Sequence, residues 1–274
     1  MSSSNDLTIA SLQMVSSPDV DQNLQTAERL INEASKQGAQ LAVLPEYFCL
    51  LGHSDKDKLT IQEPIGAGKL QDNLARFAKQ ANIYLVAGTV PITSSSANRV
   101  LNTSLVFSPL GEVVSRYDKI HLFAFKTDKE SYDESEVLDA GSTPTTFTIN
   151  HKGVDWKFGL SICYDIRFPE LYRHMGEVDC HILPAAFTYT TGKAHWEILI
   201  RARAIENQCY FLASAQGGKH ENGRSTWGHS MIVNPWGEIN QVIPEGVGLV
   251  VSTLSKELIN DVRSKLPALK HRKQ

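Results

Sequence analysis

The feature that most limits this chain is an alternation. Short apolar runs end abruptly on a polar residue or a proline, and each is followed by an amphipathic stripe at helical spacing. Residues 7–14 read as a strand. Pro18 and Asp19 then open a helix that sets Leu24, Ala27, Leu30, Ile31 and Ala34 on one side, and Gly38 closes it. Residues 40–44 form a short apolar strand that Pro45 stops, which delivers Glu46 to its carboxyl end. Leu70, Leu74, Phe77 and Ala78 mark a second helix, followed by a strand over 83–90. Residues 102–108 and 112–117 flank Pro109-Leu110-Gly111, a hairpin signal. The rhythm then repeats with a strand over 156–162 ending at Cys163, a helix over 169–175, a strand over 180–183, a helix over 193–207 and a strand over 210–215. A hairpin of 230–234 and 238–242, a strand over 249–253 and a helix from near Ser255 complete it. Strand–helix alternation combined with hairpins predicts an α/β fold, with sheets packed face to face and helices outside. One domain over residues 1–274 is expected, its core at about 7–266 and a C-terminal tail at 267–274. Residues 118–141 show no period and are rich in charge, so they read as a long irregular connection of the kind that often carries function.

Composition supports a large core and narrows the function classes. Hydrophobic residues are 42% and charged residues 21% of the 274. A net charge of −3 gives no electrostatic footprint for nucleic acid or an anionic membrane surface. Lys270, His271, Arg272 and Lys273 form a basic cluster at the C-terminus, which reads as a solvated tail. The first residues, MSSSND, lack a basic leader region, and no apolar run approaches the roughly 18–20 residues of a membrane span. A cytoplasmic location is therefore expected. The four cysteines, Cys49, Cys163, Cys180 and Cys209, lie at long unrelated spacings that match neither a disulfide framework nor a zinc site. Each is a buried small hydrophobe or a reactive thiol, and no metal or cofactor is implied.

Three polar residues stand where strands end: Glu46 after LAVLP, Lys119 after a hairpin strand, and Cys163 after FGLSI. Sites in open α/β sheets gather at the carboxyl ends of strands. A cysteine there, near the start of a helix and beside an ammonium, would be pushed toward thiolate. Taken singly, each residue also reads as structural: a core thiol, a capping acid, a surface cation.

In combination they resemble the nitrilase superfamily of carbon–nitrogen hydrolases. The matching stretches are LAVLPEYF around Glu46, YDKIHLF around Lys119 and GLSICYDIRFPEL around Cys163, with AAFTYTTGKAHWEILIRARAIENQCY and GHSMIVNPWGE further on. The likeness runs from about Leu7 to His271. It implies a four-layer α-β-β-α sandwich and a catalytic Glu46–Lys119–Cys163 triad. YDES offers Glu134 as the second glutamate that many relatives carry, flanked here by Asp133 and Glu136; this connection follows the relatives least well. The resemblance also implies the Tyr164 backbone N–H as an oxyanion donor and a substrate pocket lined by Arg167, Phe187 and Thr191. It further implies a homodimer or higher homo-oligomer, with the 193–207 helix near the interface.

The chemistry such a triad supports is amide hydrolysis through a thioester, with Glu46 as base, Cys163 as nucleophile and Lys119 clamping the oxyanion. A guanidinium at Arg167 suits a small amide bearing a carboxylate. AQGGKHENGRSTWGHSMIVNPWG and LPALKHR look most like the branch acting on deaminated glutathione, with 2-oxoglutaramate or 2-oxosuccinamate (the ω-amidase substrates) and N-carbamoyl substrates as alternatives. His220 and Arg224 read as a flexible rim that meets the far end of a peptide-like substrate. His195 and Trp196 read as packing, and Arg203–Glu206 as an intrahelical pair. A papain-like site would leave Glu46 and Lys119 unused. A glycosidase pair of Glu46 and Glu134 would leave Cys163 idle. A catalytically silent binding protein of the same fold remains the reading from another class.

Overall fold

The computed structural model describes residues 5–128 and 131–273. Five α-helices are named here: α1 (Val20–Lys36), α2 (Lys69–Ala81), α3 (Pro169–His174), α4 (Tyr189–Asn207) and α5 (Lys256–Lys265). Two large sheets carry the architecture. The first runs Gly248–Leu254, Leu7–Gln13, Leu41–Val43, Tyr84–Val86, Val100–Phe107, Val90–Thr93, with Val113–Asp118 and Leu138–Asp139 also paired to Val100–Phe107. The second runs Thr145–His151, Val154–Leu160, Cys180–Ala185, Tyr210–Ala215, Ser230–Val233, Ile239–Ile243. Parallel pairing occupies the middle of each sheet (Leu41–Val43 between Leu7–Gln13 and Tyr84–Val86; Cys180–Ala185 between Val154–Leu160 and Tyr210–Ala215), and antiparallel strands flank it.

Side-chain alternation along these strands builds the layers. Ile9, Leu41, Val43 and Val86 face the second sheet and pack with Phe158, Leu160, Ile182 and Leu212. Their neighbours Ala10, Leu12, Ala42, Leu44 and Leu85 face the other way, onto Leu24, Leu30 and Ile31 of α1 and Leu74 and Phe77 of α2. On the far side, Leu171 and Tyr172 of α3 and Trp196, Ile200 and Ala204 of α4 cover the second sheet. The result is the four-layer α-β-β-α sandwich. The sheets are also locked by polar contacts. Ser11 donates to the Ala213 carbonyl at 2.8 Å, and the Ser214 hydroxyl lies 2.6 Å from the carbonyls of both Leu12 and Val43.

Two local differences from the sequence reading have physical causes. The strand expected over 83–90 is two, Tyr84–Val86 and Val90–Thr93, because Gly88 breaks it at φ +53. A Cβ at Gly88 would lie 2.1 Å from the Pro45 carbonyl oxygen, so this close approach admits only glycine and seats the Pro45-Glu46 turn. Helix α4 starts at Tyr189 rather than 193, because Thr188 caps it by accepting from the Thr191 N–H at 3.3 Å. The 118–141 connection holds a small hairpin, Ala124–Lys126 with Ser131–Asp133, then a short turn, Glu134–Glu136. Lys129 and Glu130, in its HLFAFKTDKESYDES stretch, lie outside the described residues. At the C-terminus, a turn over Ala268–His271 lies where a frayed tail was expected, with Lys270 and His271 exposed.

Candidate active site

Glu46, Lys119 and Cys163 converge where the parallel strands of the two sheets end. The Leu41–Val43 strand stops short of Pro45, and the next residue, Glu46, is 1% exposed. Its carboxylate is held by three donors. Asn102 Nδ2 and Lys119 Nζ donate to Oε1, each at 2.9 Å, and the Ala186 N–H donates to Oε2 at 2.9 Å. Lys119 follows directly on the Val113–Asp118 strand. Its N–H donates to the Asn102 carbonyl at 3.0 Å, and its own carbonyl accepts from Gly141 at 2.8 Å. The backbone is thus pinned on both sides, and the side chain is 0% exposed.

Glu134 completes the cluster. Lys119 Nζ lies 2.9 Å from its Oε1 and 2.8 Å from its Oε2. Tyr47 donates to Oε1 at 2.7 Å and the Phe123 N–H to Oε2 at 2.7 Å. The register offered by YDES is therefore the one the structure places against the lysine, while Asp133 spends its carboxylate capping the Glu134–Glu136 turn through the Ser135 N–H.

Cys163 sits on the turn after Val154–Leu160 at φ +49, a left-handed conformation rare for a side chain of this kind. Asp165 holds that turn. Buried at 0% exposure, it accepts from the Ile162 N–H at 2.8 Å, the Tyr117 hydroxyl at 2.7 Å, the His121 N–H at 3.1 Å and His121 Nδ1 at 2.7 Å. Arg203 of α4 braces the same turn from behind, donating from Nε to the Ile166 carbonyl at 3.0 Å while also making the intrahelical pair with Glu206. Cys163 and Glu46 line the same cavity.

The electrostatics follow from burying two carboxylates around one cation. Burial alone would strip Lys119 of its proton, but Glu134 and Glu46 together overcome this and hold its pKa well above the ordinary range. Burial pushes Glu46 up, against the pull of Lys119. Burial, then the Glu46 charge, push the Cys163 thiol well above its usual range, and Lys119 offsets this only in part. This corrects the expectation of a resting thiolate. The α-helix that was to favour one starts only at Pro169 and has 6 residues, and desolvation outweighs the ammonium. The arrangement suits a neutral thiol next to a carboxylate primed to take its proton.

A cavity of about 690 Å³, counting its open mouth, contains Glu46, Glu134, Cys163 and Tyr164. Phe187, Thr188 and Thr191 form one wall, with the two threonine hydroxyls 2.8 Å apart. Arg167 is not among the lining residues. Its guanidinium lies 5.4 Å from the Phe187 ring centroid and 5.7 Å from that of Tyr164, and both terminal nitrogens are 3.3 Å from His195 Nδ1. Arg224 lines the cavity instead, with Asp55, Leu51 and Tyr132. His220, expected in a flexible rim, is 3% exposed and fixed between the Ser16 carbonyl and the Thr226 hydroxyl. Trp196 packs as expected, 1% exposed against Phe187. Among the described residues, no group of three His, Cys, Asp or Glu is placed to hold a metal ion, and no helix is long and apolar enough to cross a membrane.

This fold and site define a hydrolase of carbon–nitrogen bonds. Residues 8–264 match the carbon–nitrogen hydrolase family, and the chain belongs to it. It is 41% identical over 268 residues to the deaminated glutathione amidase of Synechocystis sp., covering 96% of this chain and 97% of that protein. Among solved structures, NitFhit of C. elegans superposes with a TM-score of 0.86 at 33% identity. The match covers 98% of this chain and 65% of NitFhit, so the chain spans less than two thirds of that protein. Nit3 of Saccharomyces cerevisiae, a member of branch 10 of the nitrilase superfamily, gives 0.86 at 32% identity, covering 100% of this chain and 99% of Nit3.

Proposed function

We propose that this chain is a cysteine amidase that hydrolyses deaminated glutathione to 2-oxoglutarate and Cys-Gly through a thioester on Cys163. The observation that carries the reading is the Lys119 ammonium clamped between Glu46 and Glu134, two carboxylates that line one cavity with Cys163. The choice of substrate is supported by the 41% identity to an amidase of that name over nearly the whole chain.

In the first half-reaction Glu46 takes the thiol proton as Sγ bonds to the amide carbon. The carbonyl electrons move onto oxygen, and the Lys119 ammonium and the Tyr164 N–H stabilise that oxyanion. Losing one such donor costs about 2.7–4 kcal/mol of barrier in comparable sites. When the oxyanion collapses, the C–N bond breaks and Glu46 returns the proton to the amine of Cys-Gly. In the second half-reaction Glu46 takes a proton from water, hydroxide adds to the thioester, and Sγ leaves with that proton. Glu134 keeps Lys119 protonated and fixed throughout. Phe187 packs on the methylenes of the acyl group, with the Thr191 hydroxyl beside it. Arg167 serves the acyl carboxylate by exchanging His195 for the substrate across the Phe187 ring.

The active form is a homo-oligomer in the cytoplasm. Helix α4 carries exposed Ile198 and Ile205 on one face, with Trp236 also exposed, and the closeness of Gly237 to Ile205 sets Trp236 next to that face. Such an apolar patch marks an interface.

The test is release of 2-oxoglutarate by the purified enzyme from deaminated glutathione, from 2-oxoglutaramate and from simple aliphatic amides. The expected order of kcat/KM is that order. A clear preference for 2-oxoglutaramate would make the chain an ω-amidase, and no turnover of any of them would remove the reading.

A further inference from the structure

We propose that Arg224 is the residue through which this cavity recognises a carboxylate on the amine half of its substrate. The preferred substrate is then a secondary amide with an anionic leaving group rather than a primary amide. This rests on the amidase reading above and narrows it.

Arg224 is the arginine that the cavity wall itself contains. It reaches the cavity from a hairpin, Gly217–Lys219 with Ser225–Trp227, whose tip is anchored. The Arg224 N–H donates to Asn222 Oδ1 at 2.9 Å, and Asn222 Nδ2 donates to the Leu51 and Gly52 carbonyls at 3.2 and 2.6 Å. The Tyr132 ring centroid lies 5.5 Å from its guanidinium carbon, forming one side of its surroundings. The backbone that carries this fork is thus held by the hairpin tip.

Its present partner is a carboxylate of the protein. Asp55 lies 3.3 Å from both terminal nitrogens. That spacing is long for a charge-assisted pair, which ordinarily closes to about 2.7–2.9 Å. Asp55 makes its tighter contact elsewhere, with Lys58 Nζ at 2.7 Å. A substrate carboxylate can therefore take the Arg224 fork without leaving Asp55 unpaired, because Lys58 continues to neutralise it. Asp55 holds the place that the substrate's anion will fill.

The gradient of exposure fixes which end of the substrate this is. Cys163 and Glu46 at the floor are 6% exposed or less, whereas the side chains of Arg224 and Asp55 are 34% and 32% exposed. With the scissile carbonyl on Cys163, a group at Arg224 points toward the mouth. The acyl half has to stay behind as a thioester while the amine departs and water enters. An amine half lying toward the mouth leaves by the open route and vacates the path the water needs.

The experiment compares three amides sharing one 2-oxoglutaryl group: 2-oxoglutaryl-Cys-Gly with a free C-terminal carboxylate, the same peptide amidated at its C-terminus, and 2-oxoglutaramate. For the wild type, kcat/KM should be higher for the free acid than for the amidated peptide by on the order of 10- to 100-fold. Arg224→Met should erase that difference, mainly through KM, and should lower neither the amidated peptide nor 2-oxoglutaramate by more than about twofold. Arg224→Lys should recover part of it, since an ammonium keeps the charge but not the fork. Asp55→Asn should lower KM for the free acid alone, because it removes the competing carboxylate. If the wild type cleaves both peptides equally well, or if Arg224→Met and Arg224→Lys depress all three substrates alike, the inference is wrong while the amidase reading stands. If the wild type cleaves none of the three, both fall.

Discussion

Lys119 meets Glu46 across 73 residues of sequence, Nζ 2.9 Å from Oε1, and neither side chain reaches solvent by more than 1%. A pair buried this deeply has no water to fall back on, so each partner's charge state is set by the other and by Glu134.

Replacing Lys119 with methionine leaves Glu46 and Glu134 facing each other as buried carboxylates. Breaking a buried pair in this way costs about 3–5 kcal/mol. The Lys119→Met protein should therefore melt well below the wild type at pH 7, and its kcat should fall by at least about a hundredfold. Full activity with an unchanged melting temperature would show that the ammonium neither clamps an oxyanion nor holds the cluster.

The buried Cys163 thiol has its pKa raised by burial first and by the Glu46 charge second. Its rate of alkylation by iodoacetamide should keep climbing with pH beyond about 8.5, the value for a free cysteine. A rate already level between pH 6 and 7 would mean a resting thiolate, stabilised in a way that desolvation does not allow. Serine replacements at Cys49, Cys180 and Cys209, all buried, should leave turnover in place.

Asp165 accepts four hydrogen bonds from three residues around the Cys163 turn. Asp165→Asn keeps the shape but turns one acceptor into a donor, which opposes a buried N–H or O–H at a cost of about 1–3 kcal/mol each. Stability should drop by that order, and kcat more than KM, because the left-handed Cys163 backbone loses its support. An Asp165→Asn enzyme with wild-type kcat would separate the turn from the chemistry.

Burial would raise the Asp55 pKa, but Lys58 and Arg224 overcome it and bring it down to about 2. A carboxylate depressed in the folded state contributes stability that is present above its unfolded pKa of about 3.8 and lost as pH falls from there toward 2. The Asp55→Asn protein should thus be less stable than the wild type at pH 7, by only about 1 kcal/mol for so exposed a pair. The gap in melting temperature should narrow at pH 3. A gap that is constant from pH 7 to 3 would show that the charge of Asp55 does nothing for the fold.

The residues at strand ends were open to sequence reading. LAVLP stops at a proline before Glu46, and FGLSI runs directly into Cys163, so period and punctuation point at both. Glu134 was within reach through the order of acids in YDES. What the sequence hid is whatever depends on two distant segments meeting. Asn102 and the Ala186 N–H both donate to Glu46, from 56 and 140 residues away, and no local pattern marks either. Asp165 stood inside the most distinctive motif without a role, because its partners Tyr117 and His121 come from a strand of the other sheet and the connection after it. Arg167 lies four residues past Cys163 in sequence, and the structure sets it outside the cavity lining with His195 against its fork. Arg224, 61 positions past Cys163 in the chain, reaches the cavity because a hairpin brings it there.

Hydrolysis of deaminated glutathione by Cys163→Ala tests the central claim most directly. Cys163 is 6% exposed, and losing one sulfur barely alters its surroundings, so the variant should fold and melt close to the wild type. Its 2-oxoglutarate release should fall by at least about 10⁴-fold, as for other nucleophile deletions. The wild type, quenched during turnover, should carry a 2-oxoglutaryl adduct on the peptide that contains Cys163. Substantial turnover by Cys163→Ala, or an adduct on a different residue, would contradict the thioester mechanism.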